Sequence, residues 1–292
     1  MNTQSLHLGE NLETAVRAAR AGAAVLQSYA HRRQDLIIDK KARNDLVSQA
    51  DREAELAILE VLKTDTPQFG IVAEETGGDV NGLATWYIDP LDGTTNFLHG
   101  IPHYAVSIAL VAHIGTHLPG LGALTKDTPV IGVVYDPCRE ELFTALHDSG
   151  AWLNGHRINC SHTDTLAEAL LATGLPFRDF SFYDNYMPTL SQAMHNTRGV
   201  RRFGSAALDL AWTACGRYDG YWEMGLASWD VAAGTLLVRE AGGVADDING
   251  QTPWPVGGNI YAANKRLAQP ILQLAHGKLT PSNPSSQPGQ TS

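Results

Sequence analysis

The sequence predicts an α+β or layered α/β fold rather than a chain of βαβ units. Three observations predict it. Short apolar segments of β character occur along the whole chain of 292 residues, and several follow one another with only tight turns between, as antiparallel pairs do. Amphipathic stretches with apolar residues at i, i+3, i+4 and i+7 lie among them. The two kinds of segment do not alternate regularly, as a parallel, doubly wound sheet would require.

Leu12, Ala15, Val16, Ala19, Ala23 and Leu26 share one face, which predicts a helix over about 11–30. DLIID (35–39) reads as a short strand. The run from Asp45, DLVSQADREAELAILEVL, contains Ser48 and Asp51 at capping-box spacing and predicts a helix to about Leu62, with 64–68 as loop. FGIVAEE (69–75) and TWYID (85–89) are short strands that each end in acid, and YAVSIALVA (104–112) is a third. VIGVVYD (130–136) and ELFTALH (141–147) predict an antiparallel pair turned at Pro137-Cys138. Asn154-Gly155 marks another tight turn. In the second half ALLATG (169–174), YDGYWEM (218–224) and NIYAAN (259–264) read as strands. Helices are expected over about 183–196, over SAALDLAWTAC (205–215) up to Gly216, over DVAAGTLLVREA (230–241) up to Gly242-Gly243, and over 264–276. Residues 1–277 are read as a single domain, an α+β half to about 147 and an α/β half from 148. The low-complexity tail 278–292 is expected to be disordered.

At 43% hydrophobic and 18% charged residues the composition is that of a globular protein. Twenty-one basic and 31 acidic residues leave a net charge of −10, which argues against a general electrostatic grip on nucleic acid or an anionic membrane. No signal peptide or membrane span is read from the sequence. The three cysteines, Cys138, Cys160 and Cys215, are widely spaced, without a metal-type pattern, and predict reduced thiols in the cytoplasm.

Chemistry concentrates in acids at element ends. Glu74 and Glu75 close one strand, Asp89 and Asp92 flank the turn after the next, and Asp230 opens a helix. Singly these are ordinary features: a solvated pair, turn formers, a helix cap. Together they are costly. Two carboxylates about 4 Å apart repel by roughly 4 kcal/mol at an effective dielectric of 20, and Glu74 or Asp230 would add to that. A proton or a cation must resolve such a cluster, and oxygen-only ligands select hard cations such as Mg2+. Gly93 permits close backbone approach, and Thr94-Thr95 opens a helical turn whose N–H groups suit a phosphate oxygen. Metal carboxylates beside phosphate-facing amides point to metal-assisted phosphoryl chemistry.

These residues resemble the inositol monophosphatase family. DPLDGTTNF (89–97) is similar to its metal-binding signature, VAEET (72–76) to its upstream acidic motif and WDVAAG (229–234) to its downstream signature, in the same order. DLVSQAD (45–51) and GSAAL (204–208) extend the similarity to about residues 8–275. The resemblance implies a layered α-β-α-β-α sandwich, of the inositol monophosphatase and fructose 1,6-bisphosphatase type, with a mostly antiparallel larger sheet. It also implies a homodimer, two or three Mg2+ per site and sensitivity to Li+. Glu74, Asp89 and the Leu91 carbonyl would hold the first metal and Asp89, Asp92 and Asp230 the second, with Glu74 touching a further one through water. Thr94, supported by Asp51, would orient or deprotonate the attacking water. The amides of Gly93 and Thr94 would hold the phosphate. Glu223 would hydrogen-bond a sugar-like hydroxyl, Gly204, Ser205 and Ala206 would supply backbone contacts beside it, and Asp92 would also stand at the substrate. Lys40 matches a basic residue near the metal loop, and Arg201 a position near the substrate mouth and the subunit contact.

The implied reaction is in-line attack of metal-activated water on a small phosphate monoester, without a phosphoenzyme. The DGTTNF form favours myo-inositol 1-phosphate. Fructose 1,6-bisphosphate, histidinol phosphate, NADP and 3′-phosphoadenosine phosphate are the alternatives. A bacterial relative that binds transcription machinery implies a second, regulatory possibility. His99 and His103 are read as walls near the loop, and His113 and His117 as loop residues rather than a ligand pair. Three departures stand out: Ala73 where the family has Gly, Ala227-Ser228 where animal members have a His-Cys type pair, and 113–129, a long hairpin loop where relatives have a short turn. That loop is expected at a dimer edge or the substrate entrance.

Overall fold

The computed structural model describes residues 6–30, 32, 36–42, 45–118, 122–177, 179–251, 254 and 258–276; for 39–42 and 45–47 it describes the backbone alone. The tail expected to be disordered, 278–292, lies outside the described residues.

The N-terminal half runs α1 (Leu8–Ala30), β1 (Ile38–Ala42), β2 (Asp45–Ser48), α2 (Gln49–Asp65), β3 (Gly70–Ala73), β4 (Gly77–Asp79), β5 (Ala84–Asp92), α3 (Thr94–His99), β6 (Ala105–Ala112), β7 (His117–Leu118), β8 (Gly122–Ala123), β9 (Thr128–Asp136) and β10 (Glu141–Leu146). The chain continues through β11 (Gly150–Leu153), β12 (His156–Arg157), β13 (Leu170–Thr173), α4 (Tyr183–Asn196), β14 (Gly199–Arg201), α5 (Ala206–Ala214), β15 (Gly220–Glu223), α6 (Ser228–Glu240), β16 (Val244–Asp247), β17 (Ile260–Ala263) and α7 (Ala268–Ala275).

Two sheets carry the fold. The larger has the order β12-β11-β10-β9-β6-β5-β3-β4 and is antiparallel except between β3 and β5. The smaller, β14-β13-β15-β17-β16, is parallel on one side and antiparallel on the other. α1 and α2 cover the outer face of the large sheet, α5 and α6 fill the space between the sheets, and α4 and α7 cover the small one. This is the α-β-α-β-α sandwich that the family resemblance implied. β6 is buried at all eight positions because both faces are covered, which explains why AVSIALVA is a continuous apolar run rather than an alternating one. α6 is buried from Asp230 to Val238 for the same reason. One apolar cluster joins Ala105, Ala109, Val134 and Phe143 of the first half to α5, α6 and β17 of the second. No helix among the described residues is long and apolar enough to cross a membrane.

Several boundaries differ from the sequence reading. The expected strand 35–39 forms three residues later, as Ile38–Ala42, because Leu36 is drawn into the core and the next residues pair with Asp45–Ser48. The helix start signalled by Ser48 and Asp51 is where it was expected, with Ser48 as the extended N-cap, φ −113° and ψ 169°, of a helix from Gln49, but the residues before it, Asp45–Ser48, form a strand. The helix expected from 264 starts at Ala268: Asn264 Oδ1 accepts the amides of Arg266 and Leu267 at 2.9 and 3.0 Å and holds a turn there instead. The short strands β4, β14 and β16 had no sequence signal.

Candidate active site

The stretch between Asp89 and Asp92 is a β-bulge. Asp89 lies opposite Ser107 and Asp92 opposite Ala105, so three steps on β5 match two on β6. On a regular strand residues three apart point to opposite faces. The extra residue cancels that alternation, and both carboxylates line one cleft of about 450 Å3. Pro90 sits within the bulge, where no ladder amide is required of it. Gly93 then turns the chain with φ 99° into α3; a Cβ there would stand 3.1 Å from His103 O and 3.3 Å from Gly204 O.

Behind this turn, Asp51 serves two elements at once. Its Oδ2 accepts the Ser48 amide at 2.9 Å and closes the cap of α2, while Oδ1 accepts Thr94 Oγ1 at 3.0 Å. The Thr94 hydroxyl also lies 3.1 Å from the Leu91 carbonyl. Asp51 is 1% exposed, and this burial raises its pKa, opposed by the Ser48 and Thr94 bonds.

The remaining acids converge from three directions. Glu74 follows β3, Asp230 sits in the first turn of α6, and both line the cleft with Asp89 and Asp92. Asp230 Oδ2 accepts the Ala227 amide at 2.7 Å, and Asp92 Oδ2 accepts Ser205 Oγ and the Ala207 amide, each at 2.7 Å. Burial, followed by the charges of Glu74, Asp92 and Asp230, pushes Asp89 well above the usual carboxylate range. Burial and then Asp230 push Asp92 up to about 6, against the pull of its bonds to Ser205 and the Ala206 and Ala207 amides. Asp89 and Asp92 resist ionisation in the field of the neighbouring acids, and the four carboxylates, beside the Leu91 carbonyl with its second lone pair, form a donor set for hard divalent cations. The residues therefore fit Mg2+.

The comparisons with known proteins agree with this arrangement. The model of the inositol monophosphatase family matches residues 7–280. The chain belongs to the inositol monophosphatase family. A Pseudomonas aeruginosa protein named Nus factor SuhB is 41% identical over 278 residues, 93% of this chain and 97% of that protein. A Synechocystis protein named inositol-1-monophosphatase is 43% identical over 264 residues, 90% of this chain and 87% of that one. The crystal structure of the extragenic suppressor protein suhB from Bartonella henselae matches at a TM-score of 0.82 with 39% identity, covering 91% of this chain and 98% of that one. Membership in the inositol monophosphatase family supports a phosphatase activity and, in general terms, metal dependence.

In this inositol monophosphatase family member Glu223, at the end of β15, also lines the cleft. Its Oε2 accepts Tyr221 OH at 2.5 Å, and burial raises its pKa to about 7. Gly174 makes room for it, since a Cβ there would collide with the carboxylate. Gly204 and Ala206 line the cleft beside it. Ser205, expected to offer backbone contacts beside the alcohol, also lines the cleft, with its hydroxyl on Asp92. Arg202, rather than Arg201, reaches the cleft; it is the one cation among the described residues lining it, with its guanidinium 5.3 Å over the Phe177 ring. The side chain of Lys40 is outside the described residues.

The expected histidine walls do not line the cleft. His99 is exposed, and His103 packs edge-on between Phe203 and Trp212, where burial lowers its pKa to about 4. The 113–129 segment contributes no described lining residue either. It forms a small hairpin, β7–β8, pinned to 82–85 through His113 and Thr116. Ala73 has no positive φ, so its methyl is accommodated where the family has Gly. Elsewhere, His147, Asp148 and Glu240 bring ligand atoms within 4.8 Å of one another. Both Glu240 oxygens already accept amides there, from Asp148 and Gly150 at 2.8 Å each.

Two contributors were not singled out from sequence. Asn96 Nδ2 donates to His103 O and Phe203 O at 2.8 and 2.7 Å and ties the acidic loop to the segment before α5. Its place in DGTTNF was the available signal. Glu55, buried at 0% exposure beneath the Glu74 turn, had none.

Proposed function

We propose that this chain is a Mg2+-dependent hydrolase of small polyol phosphate monoesters, with myo-inositol 1-phosphate as the first substrate to test. The observation that carries this reading is the convergence of Glu74, Asp89, Asp92 and Asp230 on one cleft with the Thr94–Asp51 pair. Glu74, Asp89, Asp92, Asp230 and the Leu91 carbonyl would hold the metals. When bound, they supply Lewis acidity, which lowers the pKa of a water and neutralises charge on the phosphoryl group.

The chain's own groups do the rest. Thr94 Oγ1 takes a proton from the attacking water as its own passes to Asp51 Oδ1, 3.0 Å away. The raised pKa of buried Asp51 makes it the better base for this transfer. The amides of Gly93 and Thr94 face the phosphate. Glu223 accepts hydrogen bonds from the alcohol, and as an acceptor-only group when ionised it favours a substrate rich in hydroxyls. Gly204 and Ala206 shape the wall beside it. The chain acts as a cytoplasmic homodimer, which light scattering would check.

Phosphate release from a panel of monoesters, with Mg2+ or chelator, tests the reading. Inositol phosphate is expected to be hydrolysed only with Mg2+, and Li+ to inhibit. Release that persists in chelator would overturn the metal assignment. The 41% identity to a Nus factor favours a second role, binding of transcription machinery on the same scaffold. Recovery of RNA polymerase factors in a pull-down, unchanged by Asp92→Asn, would support it.

A further inference from the structure

We infer that Glu55 is the positioning residue of the metal-facing turn: from α2 its carboxylate grips the backbone just after Glu74 and fixes the aim of that side chain. The inference rests on the reading of Glu74 as a metal ligand.

Glu55 lies one helical turn after Asp51, so the two carboxylates stand on the same face of α2. They are 0% and 1% exposed. A carboxylate buried this far needs strong donors to offset its lost hydration. Glu55 has two, and both come from one place. Oε2 accepts the amide of Glu75 at 2.8 Å and Oε1 the amide of Thr76 at 2.9 Å.

Those amides belong to the three-residue turn 74–76 between β3 and β4, closed by the Ala73–Gly77 pair. β3 packs on the core through Ala73, but β4 is exposed at all three positions, so that arm of the hairpin has no packing to set where the turn sits. Glu74 is held from the other side by its amide, which donates to Ile88 O at 3.1 Å, next to Asp89. The turn is thus clamped between β5 and α2. Helix α2 carries two parallel tasks: Asp51 holds Thr94, and Glu55 holds the segment that bears Glu74.

Glu55→Gln tests this, because it keeps the size but sets an NH2 group against one of the two amides. Metal binding is measured directly, by calorimetry with Mg2+ and by Mn2+ resonance without substrate, alongside urea melts in chelator. The expected result is metal affinity weakened by about 10-fold or more, with kcat recovering at saturating metal and substrate KM within about threefold of wild type. Glu55→Asp, which keeps the charge, should fall between the two. In a Glu74→Gln background, Glu55→Gln should have little further effect on metal affinity.

A variant that melts earlier yet binds metal as wild type does would show a purely structural role and overturn the inference. Additive losses with Glu74→Gln would overturn it too. Failure of the wild-type protein to bind Mg2+ or Mn2+ would instead overturn the functional reading on which it rests.

Discussion

Replacing Asp92 by Asn should remove activity and, without metal at alkaline pH, make the protein more stable. The Asp92 carboxyl titrates near 6 against an ordinary 3.8, because burial and Asp230 disfavour its charge. At ~1.4 kcal/mol per pH unit, ionising it costs the folded state about 3 kcal/mol. The sign follows from a folded pKa above the unfolded one: the folded state binds the extra proton. Its stabilising contribution is complete below about pH 4 and is lost as the pH rises through 6. At pH 8 the whole cost stands.

Asparagine removes the charge but keeps an acceptor for Ser205 Oγ and the Ala207 amide. Weakening those bonds from charged to neutral gives back roughly 1 kcal/mol. The net gain in chelator at pH 8 is therefore about 1–2 kcal/mol, vanishing or reversing at pH 4.5. Mg2+ should restore the wild type by about 2.7 kcal/mol at a hundredfold excess over its Kd, and the variant by much less. Urea melts at both pH values, with chelator or Mg2+, read these quantities, and phosphate release reads kcat, expected to fall at least about 100-fold. A variant 1 kcal/mol or more less stable than wild type at pH 8 in chelator would refute the electrostatic reasoning. Near-wild-type turnover would refute the metal assignment.

Asp51→Asn should lower kcat by about 100-fold or more with KM little changed. Its melting should stay within about 1 kcal/mol of wild type, because Asn at this third helical position keeps an oxygen that can accept the Ser48 amide. Ionisation of Glu223 near 7 should lower the KM for a polyol phosphate as the pH rises through that value. Glu223→Gln should flatten this profile and raise KM about tenfold, one lost charged hydrogen bond, while turnover of an aryl phosphate stays near wild type. Leu118 is 3% exposed where the β7–β8 hairpin meets the core, so Leu118→Ala should cost about 2 kcal/mol in a urea melt. It should leave kcat/KM within about twofold, because the hairpin does not line the cleft; a larger loss would give the insertion a part in catalysis.

Much of the donor chemistry was legible in the chain. DPLDGTTNF carries its acids, its turn glycine and its threonine within nine residues, and the cap at Ser48 and Asp51 reports the start of α2 to within a few residues. The helix expected over about 183–196 was also readable, and forms as Tyr183–Asn196. Such features depend on neighbours in sequence, and local preferences encode them. Glu55 was not legible: in DREAELAIL it looks like any solvated helix acid, and only the packing of α2 over the turn after β3 buries it. The same holds for β4, β14 and β16, which are too short to show a period and exist because a partner strand is present. The role of the 113–129 segment was equally hidden, since its docking on 82–85 depends on contacts with residues remote in sequence.

The sequence by itself determined which oxygen donors, turn residues and capping groups are present, because these are properties of side chains and of short backbone runs. Only the tertiary structure decided that they face one another. The bulge between Asp89 and Asp92 is a matter of register against β6, and it alone turns both carboxylates to one face. Asp230 joins them because α6 is packed between two sheets, and Thr94 meets Asp51 because α2 lies behind the loop. The mutual charges that raise Asp89 and Asp92, and so make the cleft a place for a cation, arise from that convergence.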